Sequence, residues 1–118
     1  TFIDIFFENI KKNIIIDNGN AFKDFLAIDK FCQILRGIIK KNLVGIYNVS
    51  IGQKVYLNEI INWLNKFNKK KLKTIIILKK NNDSFFLNNK KLMSKIRIKN
   101  SLKSLKQYCN QISRNKFS

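Results

Sequence analysis

One lysine lies where the sequence could bind an anion. Lys23 follows the turn-forming stretch Asp17-Asn18-Gly19-Asn20 and precedes an extended aromatic piece around Phe25. A side chain at the point where a turn meets a strand is anchored by a regular element and still reaches solvent, so its ammonium group could contact a phosphate or a carboxylate. A solvated lysine beside a hairpin-like turn is the ordinary alternative. The residue types alone favour that alternative.

Side chains suited to acid–base or nucleophilic catalysis are scarce. The chain has no His and only seven Asp and Glu residues, so the usual general bases are few. Tyr47, Tyr56 and Tyr108 are each followed four residues later by Ile rather than Lys. The four glycines are scattered and form no phosphate-binding loop. Two cysteines without a His exclude the usual zinc spacings. The sequence therefore predicts no catalytic residue and no metal site.

A net charge of +17 raises the question of a nucleic-acid partner. Lys, Asn and Ile, which all have A/T-rich codons, fill about half of the chain, and the lysines are spread along its whole length. Only residues 69–71 form a lysine run, and Arg, the better reader of bases and phosphates, occurs three times. We therefore favour a solvated basic surface over a nucleic-acid-binding module, and over a membrane-surface patch.

The cysteines, the apolar runs and the first residues of the chain indicate the cellular compartment of the protein. Cys32 and Cys109 each fall in an apolar helical pattern, so we expect buried free thiols in a reducing cytoplasm, with a disulfide still open. The apolar runs are far shorter than the roughly 20 residues that a membrane span needs. No secretory leader precedes them, and the chain begins at Thr1 rather than Met. We expect a soluble, cytoplasmic chain that continues N-terminal to Thr1.

Hydrophobic periodicity predicts a single α/β unit over residues 1–118, with short strands alternating with helices in a parallel or mixed sheet. Asp29 and Ser101 are expected to cap the helices that follow them. The predicted elements are helices over 2–12, 30–42, 57–67, 89–95 and 102–112, strands over 13–16, 46–49, 75–78 and 85–87, and a short extended piece over 25–28.

Four stretches carry a resemblance to a known family. In chain order they are Asn18-Gly19 with Lys23-Asp24-Phe25-Leu26-Ala27-Ile28-Asp29, then Gly45-Ile46-Tyr47-Asn48-Val49-Ser50-Ile51-Gly52, then Val55-Tyr56-Leu57-Asn58-Glu59-Ile60, and finally Ser84-Phe85-Phe86-Leu87-Asn88-Asn89-Lys90-Lys91-Leu92. They resemble the "G-D-G … R-D-F-I-Y-V-D-D", "G-x-Y-N-V-G-S-G", "V-S-L-x-E-I" and "x-Y-x-L-D-x-S-K-L" segments of extended short-chain dehydrogenase/reductases, the NAD-dependent epimerase/dehydratase family that acts on nucleotide sugars. Their order and spacing match the C-terminal part of that family.

The resemblance implies a Rossmann-type α/β fold of which this chain is a C-terminal fragment. The family's N-terminal domain binds NAD or NADP with a glycine-rich turn, and its Tyr-x-x-x-Lys pair transfers protons; this chain has neither. It would supply the substrate-binding part, plus a strand and helix that complete the Rossmann sheet. The implied parent enzyme is an epimerase, dehydratase or reductase in surface-polysaccharide synthesis, compatible with a homodimer, and the fragment by itself would bind no cofactor.

The resemblance also implies a substrate site for a nucleotide-diphosphate sugar. The family's Arg in "R-D-F" contacts the diphosphate, and Lys23 occupies that position with the same charge but without the bidentate fork. Gln53 lies where some members place a polar residue near the diphosphate, and Asn18 and Gly19 would line the nucleotide side. Asp24 and Asp29 are expected to be structural. The family's downstream Arg–Asp substrate pair has no clear match near residues 81–83.

Two other functions stay open at this point. One is a small basic nucleic-acid-binding module, which requires the basic residues to gather on one face and gives binding a steep salt dependence. The other is a sugar-nucleotide-binding protein that has lost catalysis.

Overall fold

A computed structural model describes residues 2–17, 21–70, 72–76 and 84–117. Helices and strands alternate through these ranges, so the α/β class is confirmed. The helices are α1 (Phe2–Lys11), α2 (Ile28–Lys40), α3 (Leu57–Leu64), α4 (Lys90–Met93) and α5 (Ser101–Phe117); the strands are β1 (Ile14–Asp17), β2 (Phe22–Lys23), β3 (Val55–Tyr56) and β4 (Lys73–Ile76). No helix in these ranges is long and apolar enough to cross a membrane.

The strands form two separate pairs. β1 lies parallel to β4, with Ile14 opposite Lys73 and Ile16 opposite Ile75. β2 lies antiparallel to β3, with Phe22 opposite Tyr56. The prediction of parallel or mixed pairing is therefore confirmed, although each sheet has only two strands in the described residues. The short antiparallel pair carries Lys23.

The main core surrounds α3. Leu57, Ile60, Ile61 and Leu64 recur at helical spacing and all four are buried, because that spacing places them on one face. α1, β1 and α5 cover this face, with Leu105 and Cys109 of α5 also buried. Burying each large aliphatic side chain stabilises the fold by about 1.5–3 kcal/mol. The N-terminus of α3 is further held by the Tyr56 backbone N–H, which donates to Glu59 Oε2 at 3.3 Å.

A second, smaller core lies under α2. It is built on Ile34, Leu92 and Ile96, which are almost completely buried. Gly37 lets α2 approach this cluster closely, since an added Cβ there would lie 3.0 Å from Ile96 Cδ1. This cluster joins α2 to α4 and to the segment that leads into α5.

The opposite side of α2 is apolar and uncovered. Ile28 is 62% exposed and Ile39 67% exposed, and Phe31 and Leu35 between them are also exposed. We call these four residues the outer α2 face. In the chain after α2, Val44 and Ile46 are also exposed, at 86% and 87%. Patches of this kind mark surfaces that contact another part of a protein or a partner.

Several predicted elements differ from the structure. Residues 46–49 and 85–87 belong to no helix or strand, and Phe25 and Leu26 also lie outside any strand. The strand in that region is β2, which ends two residues before Phe25. Apolar composition predicts burial or pairing, but of residues 46–49 only Tyr47 and Val49 pack against the second core, while Ile46 and Asn48 are exposed. Residues 77–78 of the predicted strand and residues 18–20 of the predicted turn lie outside the described residues.

Both predicted helix caps are wrong. α2 begins at Ile28, so Asp29 lies inside its first turn, and the N-cap residue is Ala27, which makes no side-chain cap hydrogen bond. The carbonyl of Ala27 instead accepts the first helical hydrogen bonds, from Lys30 and Phe31. A carboxylate in the first turn still interacts favourably with the helix dipole. Ser101 is the first residue of α5 rather than the residue before it.

The two cysteines are free and differ in environment. Cys32 is exposed on α2, which corrects the expectation that it is buried, whereas Cys109 is 1% exposed in the main core. Burial raises the pKa of the Cys109 thiol from 9.0 to about 11, since the thiolate is poorly solvated there.

This buried thiol should make stability depend on alkaline pH. The raised pKa stabilises the folded state fully below about pH 9, and the contribution is lost as the pH rises toward 11. Relative to Cys109→Ala, the native protein should lose about 2 kcal/mol of unfolding free energy over that interval. Urea denaturation of both proteins at pH 8, 9.5 and 11 measures the difference, and other titrating groups cancel between them. If the unfolding free energies of the native protein and of Cys109→Ala changed by the same amount between pH 8 and pH 11, the raised pKa of Cys109 would be contradicted.

Candidate functional site

The β2–β3 pair holds Lys23 in place. Lys23 lies opposite Val55, and the Leu57 backbone N–H donates to the carbonyl of Ala21 at 3.0 Å, which ties the start of α3 to this ribbon. On the other side of β2, the Phe85 N–H donates to the Phe22 carbonyl at 3.2 Å. The Phe22 N–H in turn donates to Ser84 Oγ at 3.1 Å. The chain after residue 83 therefore runs beside β2 and borders the candidate site.

Asp24 joins three segments at the end of β2. Its Oδ1 accepts the backbone N–H of Ile51 at 2.9 Å, and its Oδ2 accepts those of Gly52 and Leu87, each at 3.2 Å. A carboxylate that accepts backbone N–H groups makes charge-assisted hydrogen bonds, which are stronger than neutral ones. Asp24 thus fixes the Gly52 turn and residue 87 against β2, and the prediction that it is structural is confirmed.

Two lysines of this region lie over aromatic rings. Lys23 is half-buried, and its Nζ lies 5.1 Å from the centre of the Phe85 ring. Lys54 Nζ lies 4.8 Å from the centre of the Phe22 ring. Each ammonium group is attracted to the negative face of its ring, by about 0.5–1 kcal/mol at an exposed site. The contact restricts Lys23 without neutralising it, so its charge stays available for an anion.

Gln53 lines a cavity of about 600 Å³ that lies beside the Gly52 turn. Its other walls come from Ile34 of α2, from α4 and from the start of α5. Gln53 itself is exposed, and Lys23 is not among the described residues that line this cavity. The structure therefore places Lys23 and Gln53 close in the fold, at neighbouring ends of β2 and β3, but not in one cavity. Asn18 and Gly19 lie outside the described residues.

The turn that carries Gln53 is held by a close contact. Gly52 has a φ of +74°, a backbone conformation that favours glycine, and a Cβ added there would lie 2.6 Å from Asn89 Nδ2. Asn89 Nδ2 donates to the Ser50 carbonyl at 3.0 Å, and Ser50 Oγ donates to the Leu87 carbonyl at 3.1 Å. Segment 50–53 and segment 87–89 are thus packed directly against each other.

The chemistry that this arrangement supports is anion binding. The described residues contain no group of His, Cys, Asp and Glu that could hold a metal ion. The sequence predicts a role for Lys23 but does not indicate its ring partner Phe85 or the contact between Gly52 and Asn89. Those partners are far apart along the chain, and no periodicity connects them. The adjacent aromatic residues 85–86 are the available signal, and their composition predicts a strand instead.

Comparisons with known proteins support the fold. No family model and no curated protein matches the sequence. Among solved structures, the UDP-Glc/GlcNAc 4-epimerase of Campylobacter jejuni matches 96% of this chain with a TM-score of 0.73 and 15% identity, over 39% of its own length. The dTDP-glucose 4,6-dehydratase of Bacillus anthracis, solved with NAD, matches 98% of this chain with a TM-score of 0.69 and 16% identity, over 39% of its length.

RMD of Pseudomonas aeruginosa, solved with NADPH, matches 92% of this chain with a TM-score of 0.64 and 17% identity, over 36% of its length. All three are extended short-chain dehydrogenase/reductases. This chain spans less than two-fifths of the length of each. The resemblance noted in the sequence is confirmed at the level of the fold: this chain has the α/β fold of the segments that it matches in these three enzymes.

Proposed function

We propose that this chain is the substrate-binding, C-terminal portion of an NAD(P)-dependent epimerase, dehydratase or reductase that acts on a nucleotide sugar in surface-polysaccharide synthesis. The observation that carries the proposal is the match of nearly the whole chain to under two-fifths of a UDP-Glc/GlcNAc 4-epimerase. Two of the similar structures contain NADPH or NAD. The parent enzyme would be cytoplasmic and would bind one of these cofactors through residues outside this chain.

The exposed apolar surface supports a missing N-terminal domain. Ile28 and Ile39 of the outer α2 face are 62% and 67% exposed, and Ile46, in the chain after α2, is 87% exposed. Residues 46–49 have no strand partner in the described residues. In parallel α/β sheets, a strand pairs with its neighbours to extend the sheet, and a helix with an apolar face covers it. We propose that residues 46–49 join the sheet of the cofactor-binding domain and that α2 covers them.

Within this portion we propose that Lys23 binds the substrate diphosphate. Its ammonium group extends from a paired strand, and the Phe85 ring restricts where it can reach. Phosphate oxygens accept charge-assisted hydrogen bonds from such a group. Gln53, two residues before β3, and Asn18 and Gly19, which precede β2 in the sequence, would line the nucleotide side. The substrate is a nucleoside diphosphate linked to a sugar.

The test is the affinity of the complete enzyme for UDP-sugars and dTDP-sugars, measured by calorimetry. A charge-assisted contact contributes about 1.5–3 kcal/mol, so Lys23→Ala should weaken binding roughly ten- to a hundredfold. Lys23→Arg should retain or improve it, because the guanidinium fork suits phosphate oxygens. Lys40→Ala, at an exposed position in the last turn of α2, is the matched control. Unchanged affinity in Lys23→Ala, with an unchanged Tm, would remove Lys23 from the site.

A sugar-nucleotide-binding protein without catalysis shares this portion and differs only upstream. The two candidates are separated by the coding sequence that precedes the Thr1 codon. An active enzyme requires a glycine-rich turn and a Tyr-x-x-x-Lys pair there, whereas a binding protein would have the cofactor-type domain without that pair.

A further inference from the structure

A basic cavity lies away from Lys23, where the ends of α1 and α5 meet the connection between α3 and β4. Its volume is about 500 Å³. Four lysines border it: Lys11 from the last turn of α1, Lys69 and Lys70 from the connection, and Lys116 from the last turn of α5. All four side chains are exposed. Residues more than 100 positions apart in the sequence thus converge on one opening.

The described charged residues that line this cavity are all lysines. No Asp or Glu lines it within the described ranges. Glu8 pairs with Lys11 at 3.0 Å from outside the cavity, and Lys116 Nζ lies 5.3 Å from the centre of the Phe7 ring. Lysines at the C-terminal ends of helices are common, since they interact favourably with the helix dipole. The helix dipole accounts for Lys11 and Lys116 but not for Lys69 and Lys70, which lie outside any helix.

Apolar side chains form the wall of the cavity, and side-chain hydrogen bonds hold the loop that borders it. Ile10, Leu72 and Phe117 provide half-buried apolar surface below the lysines. The loop is held by Asn68, whose Oδ1 accepts the Lys70 backbone N–H at 3.1 Å and whose Nδ2 donates to Asn65 Oδ1 at 2.9 Å. The backbone that carries Lys70 is therefore positioned by side-chain hydrogen bonds.

We propose that this cavity binds a compact anion with two or more linked phosphates. Lysine ammonium groups bind phosphate oxygens as point charges, and several of them around one opening repel each other until an anion neutralises them. The volume lies in the range of small-ligand sites. A linked polyphosphate can contact lysines from different elements at once, which a single carboxylate is too small to do. The site shares no lining residue with the Lys23 ribbon and does not depend on the function proposed for it.

The experiment is calorimetric titration of the complete protein with inorganic tripolyphosphate near physiological salt. Lys69→Gln combined with Lys70→Gln removes two charges from the cavity and keeps the length of the side chains. Lys99→Gln combined with Lys106→Gln, at exposed positions that line none of the described cavities, removes the same net charge. We expect the cavity variant to weaken binding about tenfold or more and the control variant by about twofold or less. In a Lys23→Ala background, the two cavity substitutions should weaken tripolyphosphate binding by the same factor as in the native protein.

A second titration, with a single-stranded oligothymidylate, identifies the class of ligand. The proposal holds if the cavity variant loses tripolyphosphate affinity selectively while oligonucleotide binding falls equally in both double variants. Equal losses of tripolyphosphate affinity in the two variants would mean that overall charge attracts phosphate, and the proposal would fall. A selective loss of oligonucleotide binding alone would replace the compact anion by a nucleic-acid strand and would also overturn it.

Discussion

Replacing Asp24 by Ala is expected to lower the free energy of unfolding by about 4 kcal/mol, since three backbone N–H groups lose a charged acceptor and each such bond contributes about 1.5–3 kcal/mol. Water recovers part of that loss because Asp24 is half-buried. Asp24→Asn keeps one acceptor oxygen and should cost about half as much. Urea denaturation at pH 7, with the slope of the transition compared among variants, measures these changes.

Asp29→Ala is the matched control for this prediction. Asp29 is an exposed carboxylate five residues further on, in the first turn of α2, where its effect through the helix dipole is about 0.3–1 kcal/mol. If Asp24→Ala destabilised the protein no more than Asp29→Ala, the three hydrogen bonds at Asp24 would contribute nothing to stability.

Gly52→Ala is expected to cost about 3 kcal/mol of unfolding free energy, from two sources. A non-glycine residue at a φ of +74° adds about 1–2 kcal/mol of backbone strain. The new methyl group also displaces the Asn89 amide, which then loses its hydrogen bond to the Ser50 carbonyl, at about 1–1.5 kcal/mol. Chemical denaturation gives the sum, and substrate affinity should fall with it if the turn positions Gln53.

Two further variants separate strain from contact. Gly45 also has a positive φ, +111°, but a Cβ there would lie 3.7 Å from its nearest neighbour, Lys91 Nζ, so Gly45→Ala reports strain alone. In an Asn89→Ala background, Gly52→Ala should cost only the strain, about 1–2 kcal/mol. A cost that stays the same with and without the Asn89 side chain would contradict the contact.

Helices were predictable from the sequence because a single helix face carries its own signal. Leu57, Ile60, Ile61 and Leu64 have the spacing that places them together, and the structure buries all four. The helix boundaries were less predictable: α2 begins at Ile28, one residue before the predicted cap Asp29, and its N-cap residue Ala27 has no side chain that could signal the start in the sequence.

The short strands could not be assigned because their pairing is set by tertiary contacts. β2 has two residues, and only its pairing with β3 and the hydrogen bonds from Ser84 and Phe85 define it. Residues 46–49 have the composition of a buried strand, yet Ile46 is exposed in this chain. A segment that pairs with residues outside the chain looks, in the sequence, the same as one that pairs inside it.

The candidate site was predictable only in part. Lys23 could be named from its turn and from the family resemblance, but the three N–H donors of Asp24 lie 27 to 63 positions away. Of the lysines at the basic cavity, only Lys69 and Lys70 are neighbours in the sequence, since Lys11 and Lys116 join them through folding. Contacts of this length have no signature in a single sequence.

The parallel pairing of β1 with β4 has a consequence for the order of folding. Its register joins residues about 60 positions apart, about twice the separation across the β2–β3 pair. Each doubling of a closed loop costs about 0.6 kcal/mol of chain entropy before any contact forms. α3 lies within that loop and contacts β1, so its own formation shortens the segment to be closed. Helix formation in the middle of the chain should therefore precede this pairing, and the barrier to folding should depend on residues 57–64 more than on the strands themselves.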